Sequence, residues 1–189
     1  MRIIAGRFRG AALAAVGGGD AVGHLRPTSD RVRESLFNLI AHAPLGDVPA
    51  LEGARVLDLF AGTGALGLEA LSRGAESACF IDKGAKALNL LRDNIDRLRV
   101  GAEARVIARD ATRPGPNPEA PHDLVFLDPP YGKRLGERAM ASALTGGWIA
   151  KGALVVWEEN TPPGAPPGLT LLDARRYGDT MISLFRAEP

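Results

Sequence analysis

Arg55 to Ala70, read R-V-L-D-L-F-A-G-T-G-A-L-G-L-E-A, decides the fold. It opens on Val56, Leu57, Leu59 and Phe60, an apolar run interrupted only by Asp58. A run of that kind suits a parallel strand buried on both faces, which is continuously hydrophobic rather than alternating. Gly62-Thr63-Gly64-Ala65-Leu66-Gly67 follows as a G-x-G-x-x-G turn, and Leu66, Leu68, Ala70 and Leu71 continue it with a helical pattern. Strand, glycine turn and helix make the first half of a nucleotide-binding βαβ unit. The same glycines would serve a tight turn in any α/β protein, so their meaning depends on what comes next.

What comes next is a second apolar run, Ser77 to Ile81, that ends in Asp82, eighteen residues beyond Gly64. A carboxylate there can accept hydrogen bonds from both hydroxyls of a ribose, in NAD or in S-adenosylmethionine. Asp58 is unusual for a dehydrogenase strand and suits a cationic or amino-bearing ligand. It could equally be a structural acid that takes backbone N–H groups in the loop.

Around this unit the chain is an ordinary one. Its 189 residues are 46% apolar and 24% charged, enough for one full core plus an extension. The expected division is an N-terminal extension over residues 1–50, with short strands and a basic helix, and a ligand-binding catalytic domain over 51–189. No apolar run reaches the roughly 20 residues of a membrane helix, and Met1 to Arg7 lacks the apolar core of a signal peptide. The one cysteine, Cys79, lies in an apolar strand and excludes an internal disulfide, so a cytoplasmic protein is expected. His24, His42 and His122 are scattered and fit no metal-ligand spacing, so no metal is expected.

Net charge is +1 but uneven. Residues 1–40 hold Arg2, Arg7, Arg9, Arg26, Arg31 and Arg33 against Asp20, Asp30 and Glu34, with no lysine. Arginine alone favours planar, bidentate contacts such as phosphate, although a solvated surface would look the same.

Residues 1–25 read as an extended arm with strand-like pieces at Ile3-Ile4 and Ala11 to Ala15, broken at Gly17-Gly18-Gly19. A helix then starts near Thr28 or Ser29 as N-cap, with Asp30 at its positive end. Val32, Leu36, Leu39 and Ile40 share its apolar face, which directs Arg26, Arg31 and Arg33 elsewhere. Beyond the central unit, a helix is expected over Ala85–Arg99 and strands over Arg105–Ala108, Asp123–Leu127 and Ala153–Trp157. A helix near Gly136–Leu144 and a closing hairpin, Leu169–Arg175 with Thr180–Arg186, complete the pattern. Prolines 114, 116, 118 and 121 make one irregular link, and Pro162 to Pro167 make another. Alternating strands and helices predict an α/β, doubly wound, mostly parallel sheet with an antiparallel end.

Ligands in such sheets sit at the carboxyl ends of strands, where Gly62, Asp82, Asp110 and Asp128 all fall. Asp128-Pro129-Pro130-Tyr131 puts a carboxylate, a stiff turn and an aromatic ring on that rim. The exocyclic amino group of a flat base fits these parts: its two N–H donors go to the Asp128 carboxylate and the Pro129 carbonyl, and Tyr131 stacks on the ring. Such an amine is a poor nucleophile, because its lone pair is delocalised into the ring. Gripping both hydrogens aims that lone pair at an electrophile.

Asp58-Leu-Phe-Ala-Gly-Thr-Gly64, Asp82, Asp110 and Asp128 to Tyr131 resemble the successive motifs of class I S-adenosylmethionine-dependent amino-methyltransferases. Arg2-Ile-Ile-Ala-Gly-Arg7, Arg26-Pro-Thr-Ser-Asp-Arg-Val-Arg-Glu-Ser-Leu-Phe-Asn38 and Tyr177-Gly-Asp-Thr180 are similar to the bacterial 16S rRNA guanine-N2 methyltransferases, the RsmD family. The likeness spans nearly the whole chain and departs from the family in both proline-rich links and in a sparsely basic arm after Arg9. It implies a seven-stranded Rossmann-like sheet and S-adenosylmethionine held by Asp58, Phe60, Ala61, Gly62, Thr63, Gly64, Gly67, Asp82, Lys83, Asp110 and Ala111. Within that set the glycines would surround the methionine part, Asp82 the ribose and Asp110 the adenine amino group. Asp128, Pro129, Pro130 and Tyr131 would hold a guanine unstacked from 16S rRNA, inside the small ribosomal subunit or its assembly intermediate. Arg7, Arg26, Thr28, Arg31 and Arg33 would meet the RNA. A monomer is expected. The rival classes are a DNA adenine-N6 or cytosine-N4 amino-methyltransferase, a nicotinamide dehydrogenase and a non-catalytic RNA-binding module. The first usually needs a recognition domain for which little chain remains, and the second gives Asp128 to Tyr131 no role. The third has no need of an intact cofactor pocket.

Overall fold

The computed structural model describes residues 1–14, 29–43 and 45–188. These form four helices, α1 (Asp30–His42), α2 (Ala65–Ser72), α3 (Ala85–Leu98) and α4 (Leu135–Thr145), and one seven-stranded sheet. The strands are β1 (Arg55–Leu59), β2 (Ser77–Asp82), β3 (Ala104–Ala108), β4 (His122–Leu127), β5 (Ile149–Glu159), β6 (Leu169–Tyr177) and β7 (Thr180–Ala187). Their order is β3-β2-β1-β4-β5-β7-β6. Strands β1 to β5 are parallel, and β7 runs antiparallel to both β5 and β6.

The chain winds outward from β1 through β2 to β3, then returns to the other side of β1 for β4 and β5. Right-handed crossovers in opposite directions place their helices on opposite faces. Accordingly Leu68, Leu71, Leu91 and Ile95 from α2 and α3 share one core cluster with Val56, Phe80 and Phe126. Ala139, Met140 and Ala143 from α4 pack with Leu57, Ile81, Val125 and Trp157 in the other. Alternate strand residues face opposite sides, so Asp58 falls on the face of Val56, towards α2. The reversal between β1 and β4 opens a crevice at their carboxyl ends.

The N-terminal piece is a docked hairpin rather than an extended arm. Arg2 and Ala12 form an antiparallel bridge, and Ile3 N–H donates to Ala11 O at 3.0 Å. The fully buried Glu69 of α2 holds the hairpin by accepting Ile4 N–H (2.7 Å) and Ala5 N–H (3.0 Å), and it also takes Arg73 Nε–H (2.7 Å). Buried Asn94 of α3 ties Ala14 to the carbonyl of Thr63, 3.0 Å away in the glycine turn. Ile3, Leu13, Leu36 and Phe37 join the same cluster as the sheet, Phe37 lying 5.7 Å from Phe126 between ring centres.

Ser29 is the N-cap of α1, its Oγ accepting Val32 N–H at 3.3 Å, while Arg26 and Thr28 lie outside the described residues. The expectation that Arg33 points away from the packed face is corrected. Arg33 is 0% exposed, and its Nη2 donates to Arg2 O and to Asp30 Oδ1, both at 2.6 Å. The hairpin covers the side of α1 that would otherwise face solvent. Strand β5 starts at Ile149, four residues before Ala153, and its pairing with β4 shifts register between His122–Ile149 and Leu124–Leu154, where Lys151 and Gly152 interrupt the apolar run.

Candidate active site

Asp58 is 2% exposed and accepts Gly67 N–H at 3.0 Å. Gly67 permits this approach, because a Cβ there would stand 2.4 Å from Phe80 Cε1 and 3.2 Å from Asp58 Oδ2. Burial, reinforced by Asp82 and opposed by the Gly67 hydrogen bond, pushes the Asp58 carboxyl up to about 8. Phe60, just past β1, has a left-handed backbone (φ 61°), rare for a bulky side chain and concentrated at functional sites. Its N–H and that of Ala61 both donate to Ile81 O, at 3.0 and 3.2 Å, which fastens the turn to β2.

Asp82 Oδ2 accepts Gly62 N–H at 2.9 Å and Oδ1 accepts Gly84 N–H at 2.7 Å. Each carboxylate oxygen keeps a second lone pair for a ligand hydroxyl. Asp110 Oδ1 takes Thr112 N–H (2.9 Å) and the Thr112 hydroxyl (2.8 Å), while Lys83 Nζ reaches Oδ2 at 2.8 Å. The Lys83 contact is the largest of the effects that hold the Asp110 carboxyl down at about 2. Lys83 is thus a brace between the loops after β2 and β3. Ala111 is buried beside it.

Asp128 follows β4 directly. Burial first, then the nearby Glu158, Asp58 and Glu159, raises its carboxyl well above the ordinary range. Pro129 is buried, while Pro130 and Tyr131 are half-buried. The Tyr131 hydroxyl donates to Glu158 Oε1 at 3.1 Å and lies 3.3 Å from Thr180 Oγ1. Asp82, Asp110 and Asp128 therefore lie on the rim the sequence placed them on, with Asp58 one residue inside the end of β1. Arg7 does not join them. It hydrogen-bonds Ser72 O, pairs with Glu103 just before β3 and stacks at 4.6 Å on Phe8, all at the amino ends of β2 and β3. Arg31 is exposed on α1.

Sequence reading missed Glu158, Glu69 and Asn94. Glu158 ends the apolar run of β5 as Asp82 and Asp128 end theirs, so the signal was present. Glu69 and Asn94 stand at inward positions of otherwise apolar helix faces, where a polar residue announces a buried partner.

A doubly wound sheet of this order, with an acid at the end of each of its central strands, is the architecture of Rossmann-like methyltransferases. Two solved structures share it: a putative methyltransferase, yhhF, from Escherichia coli (36% identity, TM-score 0.82, covering 100% of this chain and 98% of that one) and a putative methylase from Haemophilus influenzae (32%, 0.77, 100% and 98%). The family model described as Conserved hypothetical protein 95 matches residues 1–186. Ribosomal RNA small subunit methyltransferase D of Escherichia coli is 38% identical over 100% of this chain and 90% of its own length. The Haemophilus influenzae protein of the same name is 36% identical over 98% and 93%. The chain belongs to this family and is a methyltransferase.

Proposed function

We propose that this methyltransferase uses S-adenosylmethionine to methylate the exocyclic N2 amino group of a guanine in small-subunit (16S) ribosomal RNA. The observation that carries the reading is Asp128-Pro129-Pro130-Tyr131 at the carboxyl end of β4, next to the carboxyl end of β1 that carries Asp58. The donor set suits this cofactor. Asp58 is a buried acid and Asp128 a half-buried one, and the charge of both is disfavoured as the protein stands. A ligand carrying a sulfonium and an ammonium would supply the missing cations. Asp82 would take its ribose hydroxyls, and the Asp110–Ala111 loop its adenine.

When bound, S-adenosylmethionine supplies an electrophilic methyl group on sulfur. The chain's own residues do the rest. The Asp128 carboxylate and the Pro129 carbonyl accept the two amino hydrogens, which turns the nitrogen lone pair outward. Tyr131 holds the base plane. As the nitrogen becomes cationic, the charge on Asp128 stabilises it. Asp128, with its carboxyl already raised, can hold the surplus proton at Oδ.

Arg31 and, outside the described residues, Arg26 and Thr28 are proposed phosphate contacts. Arg33 is spoken for by Asp30 and Arg2, and Arg7 lies far around the molecule from Asp128. The substrate is 16S rRNA in the small subunit or its assembly intermediate, which places the protein in the cytoplasm. Nucleoside analysis of 16S rRNA from a deletion strain tests this. One N2-methylguanosine should vanish and return with the wild-type gene, and an unchanged methylation pattern would overturn the assignment.

A further inference from the structure

We propose that Glu158 and Thr180 are positioning residues for methyl transfer, clamping the Tyr131 hydroxyl between β5 and the β6–β7 turn. The proposal rests on the base-binding role assigned above to Tyr131. Leu127 pairs with Trp157, so Asp128, just past β4, and Glu158, one residue before the end of β5, stand side by side. Glu159 pairs with Met181, which sets Thr180 just beyond the end of β5. Tyr131, carried back by the two prolines, brings its hydroxyl into this corner, 3.1 Å from Glu158 Oε1 and 3.3 Å from Thr180 Oγ1.

A tyrosine ring has two free side-chain torsions, and a loop residue anchored only at its backbone can swing. Fixing the far end of the ring removes that freedom. Glu158 is 7% exposed, so its bond to the hydroxyl is a charge-assisted one in a poorly hydrated corner. Burial first, then Glu158 and Asp128, push the phenol up, against the hydrogen bond from Thr180, which lowers it. Tyr131 is thereby kept protonated, with its one proton committed to Glu158, and serves as a wall rather than as a base. The clamp also gives a purpose to Tyr177-Gly-Asp-Thr180. This turn is set by the Tyr177–Thr180 pairing and holds Thr180 at the rim, 49 residues from Tyr131.

Two measurements test the clamp. The first needs neither RNA nor cofactor. The chain has two tyrosines, Tyr131 and Tyr177, so ¹³C labelling at tyrosine Cζ gives two resonances, assigned with Tyr177→Phe. Glu158→Gln and Thr180→Val should each move the Tyr131 resonance and leave the Tyr177 resonance in place. No movement in either variant overturns the clamp. The second is single-turnover methylation of small-subunit particles at saturating S-adenosylmethionine. Glu158→Ala should slow the step roughly tenfold, the loss expected for a hydrogen bond to a charged group, with cofactor affinity unchanged by calorimetry. Thr180→Ser should restore what Thr180→Val loses. In a Tyr131→Phe background Glu158→Ala should add little, because the hydroxyl it acts through is gone. An equal, additive loss there would mean that Glu158 acts by another route, and the proposal fails. A moved Cζ resonance with no activity on particles even for wild type would instead sink the RNA reading and leave the hydrogen bonds standing.

Discussion

At the scale of single residues, two of the site's acids, Asp58 and Asp128, stand in an environment that resists their charge. Asp58 shows the consequence most clearly. Its carboxyl is raised to about 8, so near neutral pH the folded, unliganded protein holds a proton there that the unfolded chain does not. A raised value means that the associated stability is complete below the unfolded pKa of roughly 4 and is lost as pH climbs through the folded value. A cationic ligand favours the ionised form and reverses this balance. Binding of S-adenosylmethionine at pH 7 should therefore release a proton and tighten as pH rises towards 8. Calorimetry in two buffers of different ionisation enthalpy reads the release directly, and it should shrink in Asp58→Asn to what Asp128 contributes. Asp128 is the residue proposed to carry the chemistry itself. Asp128→Asn keeps shape and an acceptor oxygen but loses the charge beside the developing ammonium, worth about 3–4 kcal/mol or roughly 100–1,000-fold in rate. Single-turnover methylation within about threefold of wild type, less than ~0.7 kcal/mol, would make Asp128 structural.

At the scale of elements, the strand-end acids were legible because each closes an apolar run, and a parallel sheet puts all such ends on one rim. Glu69 and Arg33 were not legible in the same way. Their partners in the hairpin lie 64–65 residues away in the one case and 31 in the other, and helical periodicity contains no term for a hairpin docking onto a helix. Arg33 on α1 therefore read as solvent-facing when the hairpin in fact covers it. Glu69 of α2 is the anchor of that docking. Glu69→Gln keeps one acceptor but turns an amide N–H₂ towards donors that were satisfied by a carboxylate. The variant should lose about 2–4 kcal/mol, the scale of one or two charge-assisted bonds. Urea unfolding measures it as a lower midpoint at constant slope, and a midpoint unchanged from wild type would show that Glu69 is not the anchor.

At the scale of the whole molecule, the order β3-β2-β1-β4-β5-β7-β6 gathers four acids, the glycine turn and Tyr131 on one side of the sheet. The antiparallel end, foreseen as a closing hairpin, also delivers Thr180 to that side, which no local pattern could reveal. Cations are spread differently. Arg7 is paired with Glu103 at the opposite rim, which leaves exposed Arg31 as the candidate phosphate contact on α1 among the described residues. Arg31→Ala should flatten the salt dependence of RNA binding by roughly one unit of slope and leave cofactor affinity alone; an unaltered slope would remove it from the interface. The central claim is that this assembly delivers a methyl group to a guanine amino nitrogen of small-subunit RNA. Purified protein incubated with methyl-labelled S-adenosylmethionine and unmethylated small-subunit particles, followed by digestion to nucleosides, tests it most directly. All incorporated label should run with N2-methylguanosine. Label in a methylated adenosine or cytidine, or none in RNA at all, would contradict the account.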